Sequence, residues 1–271
     1  MPTVKEVIGV IEEIAPACWA EEWDNPGLQV GSLGGEVKKI LMSLDPTMGA
    51  LKEAVDIDAQ MLLTHHPLIL KPLANIDRDV FPGNVIHGAL LNGICVFSAH
   101  TNLDVAEGGI NAILASLFQL RDVTVLKPLD QDRGAKVGLG RIGELIRPMS
   151  LSEMTRRARE VLGTGKVETV GRMEVEIRRV AVVGGSGGSM IPAASENGAD
   201  VLITGDISYH NAQEALNRGL AVIDAGHFST EKVPFDRFSE RLGAAFKDHG
   251  LDVALEICHT EKDPLDPVMT E

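Results

Sequence analysis

The chain has 271 residues, room for one large or two modest domains, each able to bury its own core. Apolar residues make up 44%, charged 24% and aromatic 4%, an ordinary globular composition with few aromatic anchors. Lys and Arg total 25 against 39 Asp and Glu, so the net charge of −14 repels phosphate backbones and argues against sequence-independent nucleic-acid binding. The densest basic run, Arg156, Arg157 and Arg159, falls on an expected helix and reads as a solvated face. No apolar stretch approaches the roughly 18 residues of a membrane span, so no membrane partner is expected. The start MPTVKEVIGVIEEI has no cationic segment followed by an apolar core, so no signal peptide is expected either. Cys18, Cys95 and Cys258 are scattered without CxxC spacing and read as buried thiols of a reducing compartment, which points to the cytoplasm.

Along the chain, Thr3 can cap a helix reaching about residue 15. Short apolar runs at 39–44, 60–64 and 94–98 suit buried parallel strands, and helical stretches near 47–56, 83–92 and 108–120 alternate with them. Between the first helix and the first of these strands, WDNPGL at 23–28 reads as a turn. A second series follows, with strands at 180–183, 200–204 and 221–224 and helices near 189–197 and 211–218. The alternation predicts an α/β fold with right-handed crossovers.

The second series repeats the first. Asp45 falls on Gly185, and Leu62-Leu63-Thr64-His65 falls on Leu202-Ile203-Thr204-Gly205, both at an offset of 140. The segment 92–99 then falls on 218–225 at an offset of 126, so the first copy carries a longer loop within 68–82. Internal duplication into two similar lobes, 1–127 and 128–271, explains this order. Between the copies, Gly138, Gly140 and Gly143 satisfy Gly-x-Gly-x-x-Gly. Pro148 follows too soon for the helix a dinucleotide fingerprint needs, so a linker and strand are expected there.

In open α/β sheets the functional side chains lie beyond the carboxyl ends of strands. Here those ends carry His65-His66-Pro67, then His100 and Asp104, and in the second copy Gly205-Asp206, then His227 and Glu231. Adjacent histidines on a regular strand point to opposite faces, so both serve one site only if the chain has left the strand, as Pro67 suggests. His227 and Glu231 share a face if a helix starts there. Imidazole nitrogen with carboxylate oxygen suits zinc, iron, manganese or nickel. His100 and His210, each following a strand, are candidate proton-transfer residues. His87, His249 and His259 read as solvated or satisfied. The glycine-rich run 184–189 suits either anion contact through backbone amides or a tight strand-to-helix turn.

WDNPGLQVG at 23–31, LLTHHPL at 62–68, SAHTNLD at 98–104, GGSGGS at 184–189, TGDISYHNAQEA at 204–215 and AGHFSTE at 225–231 together resemble the GTP cyclohydrolase type 2 homologues, or Nif-three-like dinuclear-metal-centre proteins. The pieces stand in family order across most of the chain. The resemblance implies a bilobed α/β subunit with two divalent metals held by His65, His66, Asp104, His227 and Glu231, with Asp24 and His100 close by; the repeat, with these residues at corresponding strand ends, predicts that the site sits in the cleft between the two lobes. It further implies a ring-like homohexamer and a hydrolase that acts on an anionic small molecule, a nucleotide or another phosphate-bearing compound, through a metal-activated water. The alternative is a non-catalytic metal-binding or regulatory ring that presents surfaces to partners. Phe228 stands where many relatives carry a second histidine, which leaves no substrate contact assigned there.

Overall fold

A computed structural model describes residues 1–129 and 136–266. The chain forms two compact units, one of Met1–Leu103 with Phe235–Glu271 and the other of Asp104–Pro234.

The first unit begins with α1 (Val4–Ile14), which carries the expected cap: Thr3 and Glu6 form a reciprocal capping box. Then come β1 (Gly27–Val30), β2 (Lys39–Ser43), α2 (Met48–Asp56), β3 (Met61–Thr64), α3 (Gly83–Leu91) and β4 (Cys95–Ser98). The later part of α9 (His227–Asp248) and β11 (Ala254–Ile257) complete it. Its sheet runs β1-β4-β3-β2-β11, with β4, β3, β2 and β11 parallel and β1 antiparallel at one edge. β2, β3 and β4 are buried almost throughout, as continuous apolar runs on a covered parallel sheet should be. Ala50, Leu51 and Ala54 of α2 and Val85, Ile86 and Ala89 of α3 pack with Leu41, Leu62 and Val96 of the sheet.

α4 (Thr101–Val105) crosses the division between the units. The second unit continues with α5 (Ile110–Leu117), β5 (Arg121–Pro128), β6 (Gly138–Ser150), α6 (Leu151–Leu162), β7 (Glu168–Val170) and β8 (Glu176–Ser186). After these lie α7 (Ile191–Glu196), β9 (Val201–Gly205), α8 (Tyr209–Arg218), β10 (Ala221–Asp224) and the first turns of α9. The sheet order is β5-β6-β8-β9-β10-β7. β9 alternates between two cores: Val201 and Ile203 pack with α5 and α6 residues, while Leu202 packs with Ile191, Ala194 and Ala215. Period-two alternation with both faces apolar is how a central strand between helical layers must read.

The duplication is visible in register. Thr64 pairs with Ser98 across β3 and β4, and their repeat equivalents Thr204 and Asp224 pair across β9 and β10. The division between units differs from the expected 127/128. β5 pairs with β6 and so belongs with the second sheet, while β11 returns to pair in parallel with β2 of the first.

The glycines at 138, 140 and 143 lie within β6, as a linker-and-strand reading requires. A Cβ at Gly138 would come within 2.3 Å of the Lys127 carbonyl oxygen, and one at Gly143 within 2.7 Å of that of Arg121. Strand contact, not phosphate, accounts for them. Arg141 between them is 3% exposed and donates to the carbonyls of Gly138, Gly140, Val105 and Ala106. Burial lowers its pKa to about 10, with Glu107 and Asp104 opposing, so it stays charged at neutral pH. Cys95 and Cys258 are buried as expected, but Cys18 is exposed. No helix among the described residues is long and apolar enough to cross a membrane.

Candidate metal centre

In the first unit the chain leaves β3 at Thr64, and the two histidines follow immediately. Thr64 Oγ1 donates to the His66 carbonyl at 2.7 Å, folding the chain back so that both rings lie together, 5.3 Å between centroids. The strand alternation that would separate them is broken as Pro67 suggested. His100, just past β4, brings a third ring 5.2 Å from His65 and 5.5 Å from His66. One ligand atom from each of the three lies within 4.8 Å of the others.

Each ring is held through Nδ1. His65, fully buried, lies 2.8 Å from the Ala99 carbonyl oxygen; a carbonyl only accepts, so Nδ1 carries the proton and Nε2 the lone pair. His66 Nδ1 lies 2.8 Å from Asp45 Oδ1, and His100 Nδ1 lies 2.8 Å from Asp24 Oδ1. Carboxylate or carbonyl on Nδ1 with Nε2 turned to an ion is the usual arrangement of metal-binding imidazoles. The Asp24 side chain is fully buried. Burial alone would raise its carboxyl, but bonds from His100, the Thr101 hydroxyl and the Asn25 amide bring it down to about 2.

In the second unit, α9 begins at His227, immediately beyond β10 and Ala225-Gly226. The four-residue spacing has the expected effect: His227 Nε2 lies 3.0 Å from Glu231 Oε2 on the first turn. Asp206, one residue past β9, approaches His227 Nδ1 to 2.7 Å and accepts from Ser186 Oγ. Burial would raise the Asp206 carboxyl, yet the bonds from Ser186 and His227 lower it, with Glu231 opposing. Gly185 has φ +62°, and a Cβ there would come within 2.1 Å of Glu231 Oε1 and 3.2 Å of His227 Nε2. The glycine keeps open the space in front of both donors. Asp104 is buried on α4, its carbonyl accepting from Asn111 Nδ2 at 3.0 Å.

This donor set, imidazoles oriented through Nδ1 with buried carboxylates, fits a divalent transition metal. Asp45 and Asp206, which orient His66 and His227, were not singled out as site residues by the motifs; one signal exists, since Asp206 falls on His66 in the repeat. His210 lies exposed on the first turn of α8, its ring 5.6 Å from that of Tyr209, outside the cluster of His65, His66 and His100. In the glycine-rich run, the Gly184 amide donates to Asn111 Oδ1 and the Gly185 amide to Thr230 Oγ1. These two amides serve the fold and the donor pair rather than an anion.

A family model described as Duf34/NIF3 (NGG1p interacting factor 3) matches residues 2–264. A Streptomyces coelicolor protein named GTP cyclohydrolase 1 type 2 homolog is 36% identical, with 97% of this chain and 94% of that protein covered. A crystal structure of a Bacillus cereus protein related to NIF3 superposes with a TM-score of 0.91 at 27% identity, covering 98% of this chain and 99% of the other. Reduced HcgD from Methanocaldococcus jannaschii superposes at 0.79 with 34% identity, covering 95% and 98%. The chain belongs to the Duf34/NIF3 family.

Proposed function

We propose that this chain is a dinuclear-metal-dependent hydrolase acting on a nucleotide or another phosphate-bearing small molecule, as the name of its curated relatives suggests. The observation that carries the reading is the group of three imidazoles, His65, His66 and His100, each held through Nδ1 on a protein oxygen. The ligands in this reading are His65, His66, Asp104, His227 and Glu231. Two divalent ions, of zinc, iron, manganese or nickel, would supply Lewis acidity, acidify a bound water and attract an anionic substrate.

The protein's own residues do the rest. Ala99, Asp45 and Asp206 fix the ring orientations of His65, His66 and His227. Asp24 holds the His100 ring through Nδ1, which leaves Nε2 to take or deliver a proton. His210 is the second candidate for proton transfer. The oligomer in this reading is a homohexameric ring, working in the cytoplasm.

The test is turnover of metal-loaded protein on a panel of GTP, other nucleotides and phosphoesters. Wild type should turn over at least one member, and His65→Ala should lose both metal and turnover. Undiminished turnover by metal-free His65→Ala would overturn the reading. A loaded protein inert across the panel would favour the non-catalytic metal-binding ring instead.

A further inference from the structure

We infer that Trp23 is a stacking platform for a planar heteroaromatic ring, and that the small molecule taken by this site carries a nucleobase or a ring like it. The inference deepens the proposed function and rests on it for the location of the site. Trp23 is 59% exposed, one of two tryptophans in a chain with 4% aromatic residues. Single exposed apolar side chains are common, so exposure alone would mean little. Two further observations distinguish this one.

The first is position. The indole meets the His100 ring edge-on at a centroid distance of 5.9 Å, and His100 lies 5.2 and 5.5 Å from His65 and His66. The indole thus abuts the histidine cluster at His100 and is one ring removed from His65 and His66. The second is rigidity. The neighbouring Asp24 side chain is fully buried and takes bonds from His100 and Thr101. Next to it, Asn25 Nδ2 donates to the Ile69 carbonyl at 2.6 Å, and on the other side of Trp23 the Glu21 amide donates to Thr101 Oγ1 at 3.0 Å. The backbone on both sides of Trp23 is tied down, so a large exposed π surface is held beside the imidazoles. A preset aromatic face binds flat rings at low entropic cost, and every nucleobase has a π face to offer.

The experiment uses full-length, metal-loaded Trp19→Phe protein, in which Trp23 is the sole indole, titrated separately with GTP, guanosine, ribose 5-phosphate and inorganic phosphate. Trp23 emission should be quenched by GTP and guanosine and unchanged by the two base-free probes. By calorimetry in the wild-type background, Trp23→Ala should weaken GTP binding about tenfold or more, while Trp23→Phe largely restores it. Equal affinity of Trp23→Ala and wild type for GTP, or no quenching by either base-bearing probe, would overturn the inference. Failure of the hydrolase reading looks different: quenching by GTP without turnover removes catalysis and keeps the platform, whereas turnover of a phosphoester without any Trp23 response does the reverse.

Discussion

Single residues set the orientation of the candidate ligand histidines. His227 Nδ1 rests on Asp206, and removing such a carboxylate typically costs metal affinity about 10–100-fold. Asp206→Ala should therefore weaken binding by that order in a chelator-competition titration; wild-type affinity would mean that Asp206 does not orient the ligand. Gly185 gives a complementary prediction. Gly185→Ala adds a methyl 2.1 Å from Glu231 Oε1 at a backbone φ of +62°, so it should displace the carboxylate and lower metal content. Gly165→Ala, with no atom within 4 Å of the added methyl, is the control and should retain the metal. His227 and Glu231 were legible in the sequence because a helix places residues four apart on one face. Asp45 and Asp206 were harder to see, since each is a lone acid in a short loop whose partner lies about 20 residues away.

Elements were legible where burial writes a pattern. MLLT, CVFS and the core of VLITG are apolar because helices cover them, and they stand out as strands. β1, β5, β7 and β11 were missed: all four are edge strands, mostly half-buried or exposed, without a continuous apolar run. What ties β11 down comes partly from α2. Glu53 accepts from the amides of His259 and Thr260 and from the Cys258 thiol, just past that strand. Slight burial pushes the Glu53 carboxyl up, but these bonds pull it down to about 2. A folded value below the unfolded one means stabilisation present above the unfolded pKa of about 4.3 and lost as pH falls towards about 2. Wild type should thus exceed Glu53→Gln in urea midpoint at neutral pH, with the gap closing in acid. A gap independent of pH would contradict this role.

At the scale of the whole molecule, one βα series used twice explains the matching central order of both sheets, β4-β3-β2 and β10-β9-β8. It also explains why the candidate ligands fall at strand ends in each unit. The repeat was legible because apolar strands and their register survive divergence. The unit boundary was not: β11 joins a sheet whose other strands lie some 150 residues or more earlier in the chain, and no local pattern announces such a return. The two copies are unlike in chemistry, with the histidine pair in one matched by Gly205 and Asp206 in the other. The proposed ligand set draws on both copies, His65, His66 and Asp104 from the first and His227 and Glu231 from the second. The measurement that tests it most directly is metal content of purified protein after loading with zinc, iron(II), manganese or nickel and removal of excess, in wild type, His65→Ala and Glu231→Ala. About two ions per chain in wild type, with loss in each variant, is the predicted result. A wild type that retains no ion, or variants that retain the full complement, would contradict it.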